Sequence, residues 1–129
     1  MRLLSPALSI DREPNFEDIK KALSDIQTIE QDPLVLLKRT EMTYLQTTYS
    51  NGSYALECQF ESTDRRFRAK GAFTYDEIVK TFELYFKGDT SWKQGIKFEL
   101  ANAKQPFIFK LGFFAGNVVE KIRKLLKGA

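Results

Sequence analysis

Between Thr43 and Gly71 the chain zips into two successive hairpins whose registers agree on which side chains are buried. Asn51-Gly52 supplies the first turn, because a type I′ turn needs positive φ at both central residues. Closing a two-residue loop there sets Tyr49 opposite Tyr54, Thr47 opposite Leu56, Leu45 opposite Cys58 and Thr43 opposite Phe60, all on one face. Thr48 with Ala55, Gln46 with Glu57, and Tyr44 with Gln59 fall on the other face, as the two-residue period of a strand requires. A second turn through Ser62-Thr63-Asp64-Arg65 pairs Glu61 with Arg66, Phe60 with Phe67, Gln59 with Arg68, Cys58 with Ala69 and Glu57 with Lys70. Apolar residues meet apolar ones and acids meet bases. A slip by one residue would turn Leu56, Cys58 and Phe60 out to water, so the faces are strongly specified.

Helices frame these strands. Asn15 caps a predicted helix that runs through Ile26, with Glu17 and Asp18 in its first turn and Phe16, Ile19, Ala22, Leu23 and Ile26 along one stripe. Leu34 to Lys38 is a short apolar run that reads as a strand, although Arg39-Thr40 is a poor tight-turn pair. Thr74 and Glu77 form a capping box ahead of Ile78, Val79, Phe82, Tyr85 and Phe86, and Gly88 terminates that helix. Ile96, Phe98 and Leu100 alternate with Lys97 and Glu99 as one further strand. From Asn117, the residues Val118, Val119, Ile122, Leu125 and Leu126 make a last amphipathic stripe opposite Lys121, Lys124 and Lys127. The expected order α-β-β-β-β-α-β-α defines an α+β domain: an antiparallel sheet of four to five strands with helices packed on one face. One domain over residues 1–129 is expected, with 1–13 and 128–129 irregular, and uncovered strand edges leave room for a homodimer by sheet extension.

Composition narrows the chemistry. The 129 residues contain no histidine, which removes the commonest general base, the usual partner of a serine or cysteine nucleophile, and the commonest metal ligand. Glycine spacing matches no phosphate-binding loop, and one cysteine does not make a structural zinc site, so no cofactor or metal is expected. Cys58 cannot close an internal disulfide and sits on the apolar face, which points to a core thiol in a reducing, cytoplasmic compartment. Pro6, Asp11 and Glu13 interrupt the N-terminal apolar run and argue against a signal peptide, and no apolar run reaches the ~20 residues of a membrane-spanning helix.

Charge is regional. Residues 93–129 hold eight bases and two acids, whereas residues 1–92 hold twelve bases and fifteen acids. A basic end with Phe107, Phe109, Phe113 and Phe114 suits either a docked helix with solvated lysines or contact with an anionic membrane or nucleic acid. On the polar sheet face, Glu57 and Glu61 lie near Arg66, Arg68 and Lys70. That cluster reads either as partnered surface charge or as a hydrolytic site with a glutamate base and arginines stabilising charge. Tyr44 among Gln46, Gln59 and Arg68 has the composition of a recognition surface, and Trp92 is either a lid over the core or a partner anchor.

The runs Tyr44-Leu45-Gln46-Thr47, Gly52-Ser53-Tyr54-Ala55-Leu56-Glu57, Phe67-Arg68-Ala69, Thr74-Tyr75-Asp76-Glu77-Ile78-Val79, and Tyr85-Phe86-Lys87-Gly88-Asp89 with Trp92 resemble small bacterial proteins. Some of these are similar to immunity proteins that neutralise a companion toxin. The resemblance spans roughly residues 15–100 and its motifs are structural. It implies a non-catalytic protein-binding module with a toxin as partner; the residues expected to meet that partner, Tyr44, Gln46, Glu57, Gln59, Arg66 and Arg68 with Trp92, come from the polar sheet face and the tryptophan read above and not from the resemblance. Two other classes compete with it. One is a peripheral membrane or nucleic-acid binder acting through Lys121, Arg123, Lys124 and Lys127; the other is a hydrolase using Glu57 with Arg66 and Arg68.

Overall fold

Both chain directions meet in one antiparallel sheet, because every strand hydrogen-bonds only to neighbours running the opposite way. The structure, a computed structural model, describes residues 1–101. Its strands are β1 (Arg2–Ser5), β2 (Ile10–Arg12), β3 (Leu34–Thr40), β4 (Thr43–Ser50), β5 (Ser53–Phe60), β6 (Ser62–Ala69) and β7 (Phe98–Leu100). Helix α1 (Phe16–Asp25) comes after β2 and α2 (Tyr75–Phe86) after β6. The α+β class holds, but the sheet has seven strands in the order β2-β1-β3-β4-β5-β6-β7 rather than four or five. The expected helix from Asn117 and the irregular end at 128–129 lie outside the described residues.

The two extra strands occupy the N-terminal stretch expected to be irregular. Pro6 opens a 3-10 turn over Pro6–Leu8, Ser9 reverses the chain at φ 56°, and β2 returns antiparallel to β1. Strands of three and four residues are too short for alternation to stand out from composition. β1 then lies beside β3, and Leu3 and Leu4 are buried on opposite faces. β3 itself is buried from Leu34 to Lys38, the continuous pattern of a strand covered on both sides.

The central hairpin matches its sequence register from Tyr44–Gln59 to Tyr49–Tyr54, and Asn51 and Gly52 take φ of 53° and 85°. The next hairpin differs. Glu57 pairs with Arg68, Cys58 with Phe67 and Gln59 with Arg66, two residues from the expected alignment, and Phe60 meets Ser62 across a bulge. Glu61 makes the reversal at φ 67°, so the chain turns earlier and Thr63–Arg65 are taken up beyond it. An even shift preserves the faces: Phe67 and Ala69 still point with Cys58, and Arg66 and Arg68 with Glu57. β7 pairs with β6 through Phe67, Arg68 and Ala69, which fixes it as an edge strand.

Both helices cover the face that carries Leu3, Val35, Leu37, Leu45, Leu56 and Cys58. α1 begins at an Asn15–Asp18 capping box and α2 at the Thr74–Glu77 box; each presents its buried stripe, Ile19, Ala22 and Leu23 or Ile78, Phe82 and Tyr85, to this core. Tyr54 lies in the middle of it. Its hydroxyl donates to Leu23 O at 2.5 Å and accepts from Gln27 Nε2 at 2.8 Å, so a buried phenol keeps its hydrogen bonds.

Candidate functional site

The opposite face gathers a different set. Leu4, Leu36 and Tyr44 form a small apolar cluster there, separate from the helix-side core. Beside it, register places Gln46 between Leu36 and Glu57, and Tyr44 between Lys38 and Gln59. β6 then adds Arg68 opposite Glu57 and Arg66 opposite Gln59. Three strands therefore bring six of the seven sequence-predicted residues, Tyr44, Gln46, Glu57, Gln59, Arg66 and Arg68, onto one face.

These side chains are bonded mainly to one another. Arg66 Nε stands 3.5 Å from Glu57 Oε1, and Arg68 Nη2 stands 3.7 Å from Glu57 Oε2. Gln59 Oε1 accepts from the Tyr44 hydroxyl at 3.2 Å and from Arg66 at 3.2 and 3.3 Å, while Gln59 Nε2 donates to Met42 O at 3.1 Å. Lys38 Nζ donates to Glu41 Oε1 at 2.9 Å and extends the polar layer onto β3. Burial pushes the Tyr44 phenol up to about 12, against the pull of the Arg66 guanidinium.

The expectation of an open, wetted plane is overturned here. Tyr44, Gln46, Glu57 and Gln59 are all buried, and only Arg66 and Arg68, at the β6 side, keep part of their surface accessible. A carboxylate is brought to such burial only when its charge is matched, which the two guanidinium groups do. Sequence reasoning missed Lys38, Leu36 and Leu4 as neighbours of the cluster. The alternation Leu34, Leu36, Lys38 in β3 carried that signal once β3 was aligned to β4.

Trp92 is not part of this face. It sits in a 3-10 turn over Thr90–Lys93 and packs into the helix-side core, edge-on to Tyr85 at 5.6 Å and to Phe98 at 6.0 Å between ring centres. It lies over the core, as the lid reading expects, and apart from the polar-face residues with which it was grouped. Trp92 borders an open cleft of about 480 Å³ between α2 and the loop before β7, lined also by Phe73, Thr81, Leu84 and Ile96 and by the charged Asp76, Glu77 and Lys80. Cys58 lies in the core as expected, and burial raises its thiol to about 12, far from a reactive thiolate. Among the described residues, no three His, Cys, Asp or Glu side chains come together as a metal site would need. No helix among them is long and apolar enough to cross a membrane. Lys121, Arg123, Lys124 and Lys127 lie outside the described residues.

Comparison with known proteins returns no matching family model, no matching curated protein and no matching solved structure.

Proposed function

We propose that the protein is a non-catalytic protein-binding module, of the immunity type that neutralises a companion toxin, and that it meets its partner along the β6 margin of the polar face. The observation that carries this reading is the fixed guanidinium pair. Arg66 and Arg68 are oriented by Glu57 and Gln59 and are the members of the network that keep solvent access. Exposed Asp64 and Arg65 continue the same margin toward the hairpin tip. A preorganised fork of this kind recognises carboxylates on a protein surface with little ordering cost.

The same geometry disfavours hydrolysis by Glu57. A general base must reach the proton that it takes, and this carboxylate is buried and held by two cations. The test uses the product of the adjacent reading frame as partner. A one-to-one complex is expected by calorimetry, weakened by an Arg66→Lys/Arg68→Lys double variant that keeps the charge but loses the planar fork, with the melting temperature nearly unchanged. Absence of binding, or binding indifferent to both substitutions, would refute the proposal.

A further inference from the structure

Building on the interface proposed above, we infer that Glu61 and the bulge of Thr63, Asp64 and Arg65 form a recognition loop that sets its specificity. Glu61 and Asp64 take a lysine or arginine of the partner protein, next to the carboxylate that Arg66 and Arg68 take. Among the described residues, four other than glycine have positive φ: Ser9, Asp32, Asn51 and Glu61. Asparagine and aspartate tolerate that region through their short polar side chains, whereas an ordinary L-residue sets its Cβ against the following carbonyl oxygen. Glu61, at φ 67°, carries the longest side chain of the four. Glycine would turn the chain there without strain.

The fold holds this turn through the backbone. The Glu61 N–H donates to Thr43 Oγ1 at 3.0 Å, a bond that a glycine would also make. What glutamate adds is a carboxylate, and Arg65 Nη1 stands 3.3 Å from its Oε2. With the Glu61 and Arg65 side chains 79 % and 56 % exposed, that pair contributes almost nothing to stability. Strain that the fold does not use points to function.

The bulge points the same way. Gln59 and Phe60 are consecutive, yet their partners Arg66 and Ser62 lie four positions apart, so Thr63, Asp64 and Arg65 have no partner on β5. An ordinary bulge inserts one residue, and bulges re-aim side chains at sheet margins. Here three residues are set aside, all exposed, directly before the Arg66 guanidinium that Gln59 holds at 3.2 Å. Glu61, Asp64 and Arg65 leave the loop net negative beside the two guanidinium groups of the margin. Such a surface is complementary to a protein surface on which a base stands next to an acid, and it repels the inverse arrangement.

The test is calorimetry against the product of the adjacent reading frame, with melting of the free protein measured alongside. Glu61→Gly is expected to keep or raise the melting temperature and to weaken binding about tenfold. Glu61→Gln, which keeps the strain and loses the charge, should weaken binding similarly, and Asp64→Lys more strongly. If the wild type binds and the Arg66→Lys/Arg68→Lys variant is impaired while all three loop variants bind like wild type, the loop is overturned and the interface stands. A wild type that does not bind removes both. A melting temperature of Glu61→Gly well below that of the wild type would show that the glutamate serves the fold, and overturns the inference without any partner.

Discussion

The two faces of this sheet are built from alternate residues of the same strands and do opposite things. The helix side buries Leu45, Leu56 and Cys58 against Phe82 and Ile19, and such contacts are non-directional, so they drive folding without demanding a particular arrangement. The far side buries Tyr44, Gln46, Glu57 and Gln59 with hydrogen bonds and ion pairs that work only in one register. A buried ionic layer of that kind contributes little net stability over apolar side chains of the same volume; its return is specificity. The contrast teaches that one hairpin pattern encodes both an apolar core and a buried polar layer, and that the two should respond differently to substitution.

The largest expected effect lies on the helix side. Phe82→Ala removes a fully buried ring and should cost about 3–5 kcal/mol by urea denaturation, a large share of an ordinary domain's stability. Glu57→Ala, on the other side, leaves two guanidinium groups facing a gap. It should cost about 3 kcal/mol, the lower end for a broken buried pair because Arg66 and Arg68 keep some access to water. The triple change Glu57→Leu, Arg66→Leu, Arg68→Met sharpens the contrast: it should cost less than Glu57→Ala alone. A triple variant far worse than the single one would mean that the ions are needed for stability itself.

Alkaline pH probes both faces at once. Burial raises Tyr85 and Cys58 on the helix side and Tyr44 on the far side to about 12, above their ordinary values. These groups hold their protons more tightly when folded, so their contribution is intact below about pH 9. It is then lost as pH rises toward 12, by about 1.4 kcal/mol per pH unit for each group that titrates only on unfolding. A melting temperature that is flat between pH 9 and 11 would contradict this burial. Last, Thr74→Ala opens the capping box of α2 and should cost about 1 kcal/mol, whereas the same loss from the exposed Lys21–Asp25 pair should be about 0.3–0.5 kcal/mol at most.

Legibility in the sequence tracks how local the cause is. The β4–β5 register was fully legible because Asn51-Gly52 fixes the turn and alternation fixes the faces. Both helix starts were legible for the same reason, as capping residues act within one turn. The β5–β6 alignment was missed by two residues because Glu61 takes a left-handed φ that no glycine or asparagine announces. β1 was missed because its strand character comes from pairing with β3, a contact across more than thirty residues, and β2 because it is a three-residue edge strand held only by β1. For the site, composition and shared face were legible, while burial was not, since cover is a property of tertiary structure. Trp92 stayed open between lid and anchor because a lone tryptophan in a 3-10 turn has no periodicity to reveal the side it takes.

The polar face is a buried, mutually bonded layer, and nitration of tyrosines in the intact chain, mapped by mass spectrometry, tests that most directly. Tyr49 and Tyr75 are half-buried on the helix side and should be labelled readily; Tyr44 should be protected as fully as Tyr54 and Tyr85. Labelling of Tyr44 at the rate of Tyr75 would show the face open to water and contradict the closed layer.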